Sequence, residues 1–212
     1  ASVYSGRIYG VRASQALLAA LLAYGCTMVA FAGLAITLVI RREQALLKRL
    51  RATPLPPRTF VGAVFASTLL VFALQTVALF LLGRAVFGTP FPERVGSVVL
   101  LVVLGVSCFA ALGVALSGLV RSAEGSSAVV NLLVLPMAFL TGAFGPTTHY
   151  PRVLRAIGDV LPLKYLVDLV NAVYLRHHTF WSQPEAIGVL AAWGVAGLVV
   201  AAFKFRWEPT AS

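Results

Sequence analysis

Residues 16–40 read ALLAALLAYGCTMVAFAGLAITLVI, a run of 25 residues that contains no charged side chain. A membrane-spanning helix needs about 20 mostly apolar residues to cross about 30 Å of hydrocarbon. The run is continuous and lacks the alternation of apolar and polar residues that barrel strands show. It therefore predicts a transmembrane helix.

Four more stretches of the chain have the same character. They are residues 59–83, 95–120, 126–144 and 186–203. The fourth and fifth stretches are shorter than the other three, and the fourth contains an asparagine at position 131 and a proline at position 136. Together the five runs predict an all-α, polytopic transmembrane helix bundle with five spans, in which residues 1–212 form a single transmembrane domain.

The overall composition agrees with a lipid environment. Apolar residues make up 59% of the chain and charged residues 11%, against about 25% charged in an average soluble domain. These values exclude most soluble folds and exclude intrinsic disorder. The net charge of +10 is attributed to basic residues at span ends rather than to nucleic-acid binding. We expect a multi-pass protein of a bacterial plasma membrane, with the lipid bilayer as partner and no nucleic acid.

The basic residues also predict an orientation. Six of the 17 lysines and arginines fall in residues 41–58, which places that loop in the cytoplasm. Alternation of the spans then puts residues 145–185 outside and residues 204–212 inside. The N-terminus falls outside, so we expect a preceding span that this chain does not contain.

Two segments outside the spans have amphipathic patterns. Residues 42–51 carry apolar side chains on one side at helical spacing and basic ones elsewhere, which predicts a short helix. That helix either rests on anionic lipid or docks on a cytoplasmic partner, and the pattern leaves both open. Residues 151–175 predict two short helices at the outer interface, with aromatic side chains at that level.

Motifs for common enzyme chemistry are absent from the sequence. It contains no GxxxxGK[ST] phosphate loop, no GxSxG, no HExxH and no CxxC. We therefore expect no catalytic, cofactor-binding or metal-binding residues in this chain. No pair of acidic residues lies inside a span, which argues against a proton- or sodium-coupled carrier.

Few polar or helix-distorting residues lie within the spans. Gln75, Asn131 and Thr141 either make hydrogen bonds between helices or line a substrate path. Pro136 removes a backbone hydrogen bond, so the fourth span should bend there. The face that carries the unpaired carbonyl should border a dimer axis or the cargo route rather than lipid. Gly142 should then let the chain leave the helix.

Two motifs resemble the permeases of type-2 ABC transporters. The first is Arg42-Glu43 followed by LKRLRATPL at residues 47–55, which resembles the cytoplasmic signature of that family. The second is LPMAFLTGAF at residues 135–144, continued by Pro146, Pro151 and LPLKY at residues 161–165. The two motifs resemble those of the drug and antibiotic exporter branch and also those of lipid and polysaccharide exporters, so the resemblance leaves the cargo open.

The resemblance implies a six-span permease, of which this chain holds spans two to six. It implies a coupling helix at about residues 42–51 that docks on a separate ABC ATP-binding subunit, which holds ATP and Mg. The coupling residues would be Arg42, Glu43, Leu46, Leu47 and Leu50, although Ala45-Leu46 stand where the family usually has Gly-Thr. It also implies re-entrant outer helices and a second permease copy or paralogue.

The expected function is therefore export of a hydrophobic or amphipathic cargo, such as a drug, an antibiotic or a lipid-like molecule. The alternative is a secondary carrier or channel without an ATPase partner. A membrane enzyme acting on lipids is disfavoured, because the sequence offers no cluster of acidic, histidine or metal-binding residues.

Overall fold

The computed structural model describes residues 7–8, 11–44, 57–120, 122–141 and 150–204. Two strands of two residues each, β1 (Arg7–Ile8) and β2 (Val11–Arg12), pair antiparallel before the first helix. Everything else with regular structure in the described ranges is helical.

Five helices in the described part of the chain are long and apolar enough to span a membrane. The first is a continuous rod, Ser14–Glu43, made of α1 (Ala13–Cys26), a π-helical segment (Thr27–Gly33) and α2 (Leu34–Glu43). The others are α3 (Pro57–Phe87), α4 (Val95–Leu119), α5 (Ala123–Leu140) and α8 (Pro184–Lys204). The prediction of an all-α bundle with five spans is confirmed.

The first rod is longer than the apolar run that predicts it. It continues through Arg42 and Glu43, where the sequence predicts the start of a separate coupling helix, and it closes at Gln44, whose N–H donates to the Ile40 carbonyl (3.0 Å). Residues 45–56, the rest of that predicted helix, lie outside the described residues. The two charged residues therefore belong to the end of a span.

The fourth span also differs in its bounds. It begins at Ala123 rather than at Ser126, because Ser122 caps the helix by accepting a hydrogen bond from the Gly125 N–H (3.2 Å). Its last helical residue is Leu140, and the helix runs through Pro136 without ending there.

Helix α4 lies at the centre of the bundle, and glycines let two neighbours approach it closely. A Cβ atom on Gly113 would lie 2.8 Å from the carbonyl oxygen of Phe31, in the π-helical segment of the first rod. A Cβ atom on Gly197 of α8 would lie 2.9 Å from the backbone of Ala111. Small residues at such contacts replace side-chain packing with backbone packing.

Two short helices connect the fourth and fifth spans. Helix α6 (Arg152–Val160) is mostly exposed, whereas α7 (Pro162–Val170) buries Leu163, Leu166 and Leu169 against the bundle. Proline at the first position of α7 suits a helix start, because that residue needs no intrahelical N–H bond. A π-helical turn (Asn171–Leu175) and a 3₁₀ turn (Phe180–Ser182) lead into α8.

Large apolar side chains remain exposed on the outer helices of the bundle. Leu132 on α5 is 73% exposed and Phe203 on α8 is 83% exposed. In a helix that spans a bilayer, such side chains face lipid or another membrane subunit.

Candidate functional site

The charged end of the first rod contacts the joint between α4 and α5, residues 117–123. Arg121 in that joint lies outside the described residues. The Arg42 side chain is 3% exposed, and its Nη1 donates to the Ser117 carbonyl oxygen (2.8 Å). Its Nη2 donates to the Val120 carbonyl oxygen. One guanidinium therefore binds two carbonyls at the end of α4.

These bonds satisfy backbone carbonyls at the end of α4. The last four carbonyls of a helix have no partner within it, and a positive charge near them is favourable because of the helix dipole. Val120 leaves the helix with an extended backbone (φ −79°, ψ 132°), so its carbonyl points away from α4. The planar guanidinium has enough donors in a fixed geometry to reach both oxygens.

Glu43, the next residue, contacts the following helix. Its Oε1 accepts a hydrogen bond from the Ala123 N–H (2.6 Å), and Ala123 is the first residue of α5. The first N–H groups of a helix lack intrahelical partners, and a negative charge there is favourable. Glu43 is exposed, unlike Arg42. Two adjacent residues of opposite charge thus hold the end of one span and the start of the next.

The sequence assigned both residues to contact with an ATPase. In the structure Arg42 and Glu43 contact their own chain, because the 117–123 joint offers carbonyls to the cation and an N–H to the anion. The apolar residues of the same prediction, Leu46, Leu47 and Leu50, lie outside the described residues.

The residues predicted to line a substrate path lie in different environments in the structure. The Gln75 amide lies over Gly25, where an added Cβ would sit 2.3 Å from Nε2, so Gln75 lies at the contact between α3 and α1. Asn131 and Pro136 are exposed on α5. Thr141 is buried, and its hydroxyl donates to the Met137 carbonyl (2.7 Å). Gly142 lies outside the described residues.

At the opposite end of α5, the chain is tied to α6. A Cβ atom on Gly158 would lie 2.5 Å from the Leu140 carbonyl oxygen, so α6 touches the last turn of α5 directly. The Trp193 Nε1 donates to the Val160 carbonyl (3.0 Å), which fixes the end of α6 on α8.

The start of α7 adds a further tie to α6. Lys164 Nζ and Asp159 Oδ1 form an ion pair at 2.7 Å, and the Tyr165 hydroxyl donates to the Asp159 carbonyl (2.8 Å). The hydrogen bond to Asp159 raises the pKa of the Lys164 ammonium above its ordinary value. These contacts fix the angle between the two short helices.

The sequence did not predict the contacts of the 117–123 joint or the close approach of Gly158. The close contact at Gly197 was likewise not predicted, because a glycine in an apolar span does not indicate which helix approaches it. Gly113 and Ser117 are four residues apart, a spacing of small residues that indicates close helix approach, and Gly113 does lie at the contact between α4 and the first rod.

Comparison with known proteins places the chain in a family. The model of the family described as "ABC-2 type transporter" matches residues 2–175. The chain belongs to the ABC-2 type transporter family. It is a multi-pass membrane protein, with five helices long and apolar enough to span a membrane among the residues that the structure describes.

Curated relatives agree with that assignment. The chain is similar to the inner membrane transport permease YhhJ of Escherichia coli, with 25% identity over 85% of this chain and 48% of the relative. It is similar to the putative transport permease YvfS of Bacillus subtilis, with 29% identity over 61% of this chain and 53% of the relative. The putative transport permease ycf38 of Porphyra purpurea is 27% identical over 74% of this chain and 54% of the relative.

The chain spans about half the length of the curated relatives that it matches. No solved structure gives a significant match to it.

Proposed function

We propose that the chain is the membrane-spanning permease part of an ATP-driven ABC exporter. A separate ABC ATP-binding subunit binds ATP and Mg, and two permease copies or paralogues form the membrane unit. The observation that carries this proposal is the family match over residues 2–175. The cargo class is hydrophobic or amphipathic, on the resemblance of residues 135–165 to drug and antibiotic exporters.

The proposal gives the loop after the first rod its role. Residues 41–58 carry six basic residues and face the cytoplasm in the orientation that the charge pattern favours. Leu46, Leu47 and Leu50 supply an apolar face for the ATP-binding subunit. Arg42 and Glu43 contribute by holding the base of that segment on the 117–123 joint.

The proposed coupling mechanism requires that the packed helices adopt two alternative arrangements. ATP binding closes the ATP-binding dimer and moves the docked segment, and the movement reaches the spans through the end of the first rod. Such a transition needs contacts that differ between an inward and an outward state. The cargo then leaves between the two permeases.

The test is to purify the full-length protein together with any ABC ATP-binding subunit that copurifies with it, and then to measure ATP hydrolysis in nanodiscs. Leu47→Asp would bury an unpaired charge at several kcal/mol, which corresponds to a loss of about 100-fold or more in affinity. Leu47→Met, a swap of similar volume, is the matched control and should keep the complex.

Equal copurification and equal ATPase rates in the two variants would contradict docking through Leu47. Absence of any associated ATP-binding subunit in the unaltered protein would favour the alternative, a carrier or channel that works without one.

A further inference from the structure

The charged end of the first rod holds two helix ends by contacts of very different strength. We propose that Arg42 and Glu43 are positioning residues that link segment 45–56 to α4 and α5. In this arrangement Arg42 is a fixed contact and Glu43 is a releasable one. The inference rests on the proposed function, because it assumes that an ATP-binding subunit moves segment 45–56.

The Arg42 contact is fixed because it is buried and doubly bonded. Its guanidinium donates to Ser117 and Val120, and only 3% of the residue is exposed. A buried charge that leaves its partners loses them without regaining water, so this contact resists separation. Helix α4 in turn is held by close backbone contacts at Gly113 and Gly197.

The Glu43 contact is releasable because it is exposed and consists of one hydrogen bond among the described residues. Its Oε1 accepts from the Ala123 N–H at a site open to solvent. An exposed charged contact is screened by water and salt, and it contributes little to stability. A small rotation of the last turn of α2 can break it while the Arg42 bonds remain.

Release of Glu43 acts on α5, which packs mainly on the first rod and on α6. Most of α5 is exposed in this chain, whereas α4 is mostly buried. The far end of α5 touches α6 at Gly158, with no room for a side chain between them. A shift of α5 at Ala123 should therefore displace α6 at the other end of the span.

Arg42 and Glu43 lie close to the start of segment 45–56 along the chain, so a movement of that segment acts on them. Gln44 closes α2, and its N–H donates to the Ile40 carbonyl (3.0 Å). Segment 45–56 starts at the next residue, so a pull on it acts on the turn that carries Arg42 and Glu43.

The experiment is hydrogen–deuterium exchange with residue-level mass spectrometry on the complex with its ATP-binding subunit. Exchange is compared without nucleotide and with Mg-ATP trapped by vanadate. The Ala123 amide opens its helix and has no partner within it, so its protection reports the Glu43 contact. We expect slow exchange without nucleotide and exchange up to about fivefold faster in the trapped state, as for loss of one exposed charged contact.

Variants separate positioning from simple stability. Glu43→Ala should make the Ala123 amide exchange fast in both states, whereas Glu124→Gln, which removes an exposed acid in the same turn, should keep the nucleotide response. Arg42→Lys places a single ammonium where two carbonyls need donors, so it should weaken the response. Arg41→Lys, the neighbouring basic residue, should preserve it.

The outcomes are distinguishable. If nucleotide changes exchange in residues 45–56 but leaves Ala123 unchanged, the inference is overturned and the proposed function stands. Fast exchange of Ala123 in the unaltered protein without nucleotide also overturns it. If no ATP-binding subunit associates, the proposed function fails and the inference fails with it.

Discussion

Replacement of Arg42 by alanine should destabilise the bundle clearly. The change leaves the Ser117 and Val120 carbonyls without the donors that Arg42 provides, in a buried joint. An unsatisfied buried acceptor costs about 1–3 kcal/mol, so two of them at about 1.5 kcal/mol each give about 3 kcal/mol. For a chain of about 150–250 residues, each kcal/mol lowers the melting temperature by about 2–4 °C, which predicts a fall of about 6–12 °C.

The chain carries its own reporter for this measurement. Cys26 and Cys108 are both free and buried, so a thiol-reactive dye reports unfolding as they become accessible. Arg41→Ala is the matched control, because it removes a neighbouring positive charge and should stay within about 0.5 kcal/mol of the unaltered protein. If Arg42→Ala melts together with Arg41→Ala, then the two bonds to α4 do not support the bundle and the reasoning is refuted.

Three further predictions concern packing, the fourth span and orientation. Gly113→Ala should lower the melting temperature, because its Cβ would meet the first rod at 2.8 Å, whereas Gly96→Ala on the same helix meets no atom within 4 Å and should be neutral or slightly stabilising. Pro136→Ala should straighten α5 and impair transport more than stability; full transport with unchanged melting would leave the proline without a role. Cysteines at Arg58 and Pro146 should be labelled from opposite sides of the membrane, and equal labelling from outside would contradict the topology.

The spans could be predicted from sequence because lipid imposes a strong and local requirement. Uncharged runs such as residues 95–120 have no alternative to a buried or lipid-facing helix. The first and last residues of each span were harder to predict from the sequence, because they depend on helix caps. Ser122 moves the start of α5 to Ala123, and a serine before an apolar run is a weak signal by itself.

The roles of Arg42 and Glu43 were harder to predict for a physical reason. A cluster of basic residues after a span indicates a loop, and the sequence does not show that a joint 75 residues further on offers matching carbonyls. Gln75 is similar, because its contact with Gly25 joins residues from two spans. The local sequence pattern predicts the helices, whereas the role of each polar residue depends on its contacts with residues distant in sequence.

A permease of an ATP-driven transporter should be present in the membrane as a complex with its ATP-binding subunits. The most direct measurement is native mass spectrometry of the full-length protein, purified in mild detergent from the membrane of its source. We predict a complex of two permeases and two ABC ATP-binding subunits that hydrolyses ATP. Recovery of the permease alone, with no ATP-binding subunit and no ATP hydrolysis under conditions that keep it folded, would contradict it.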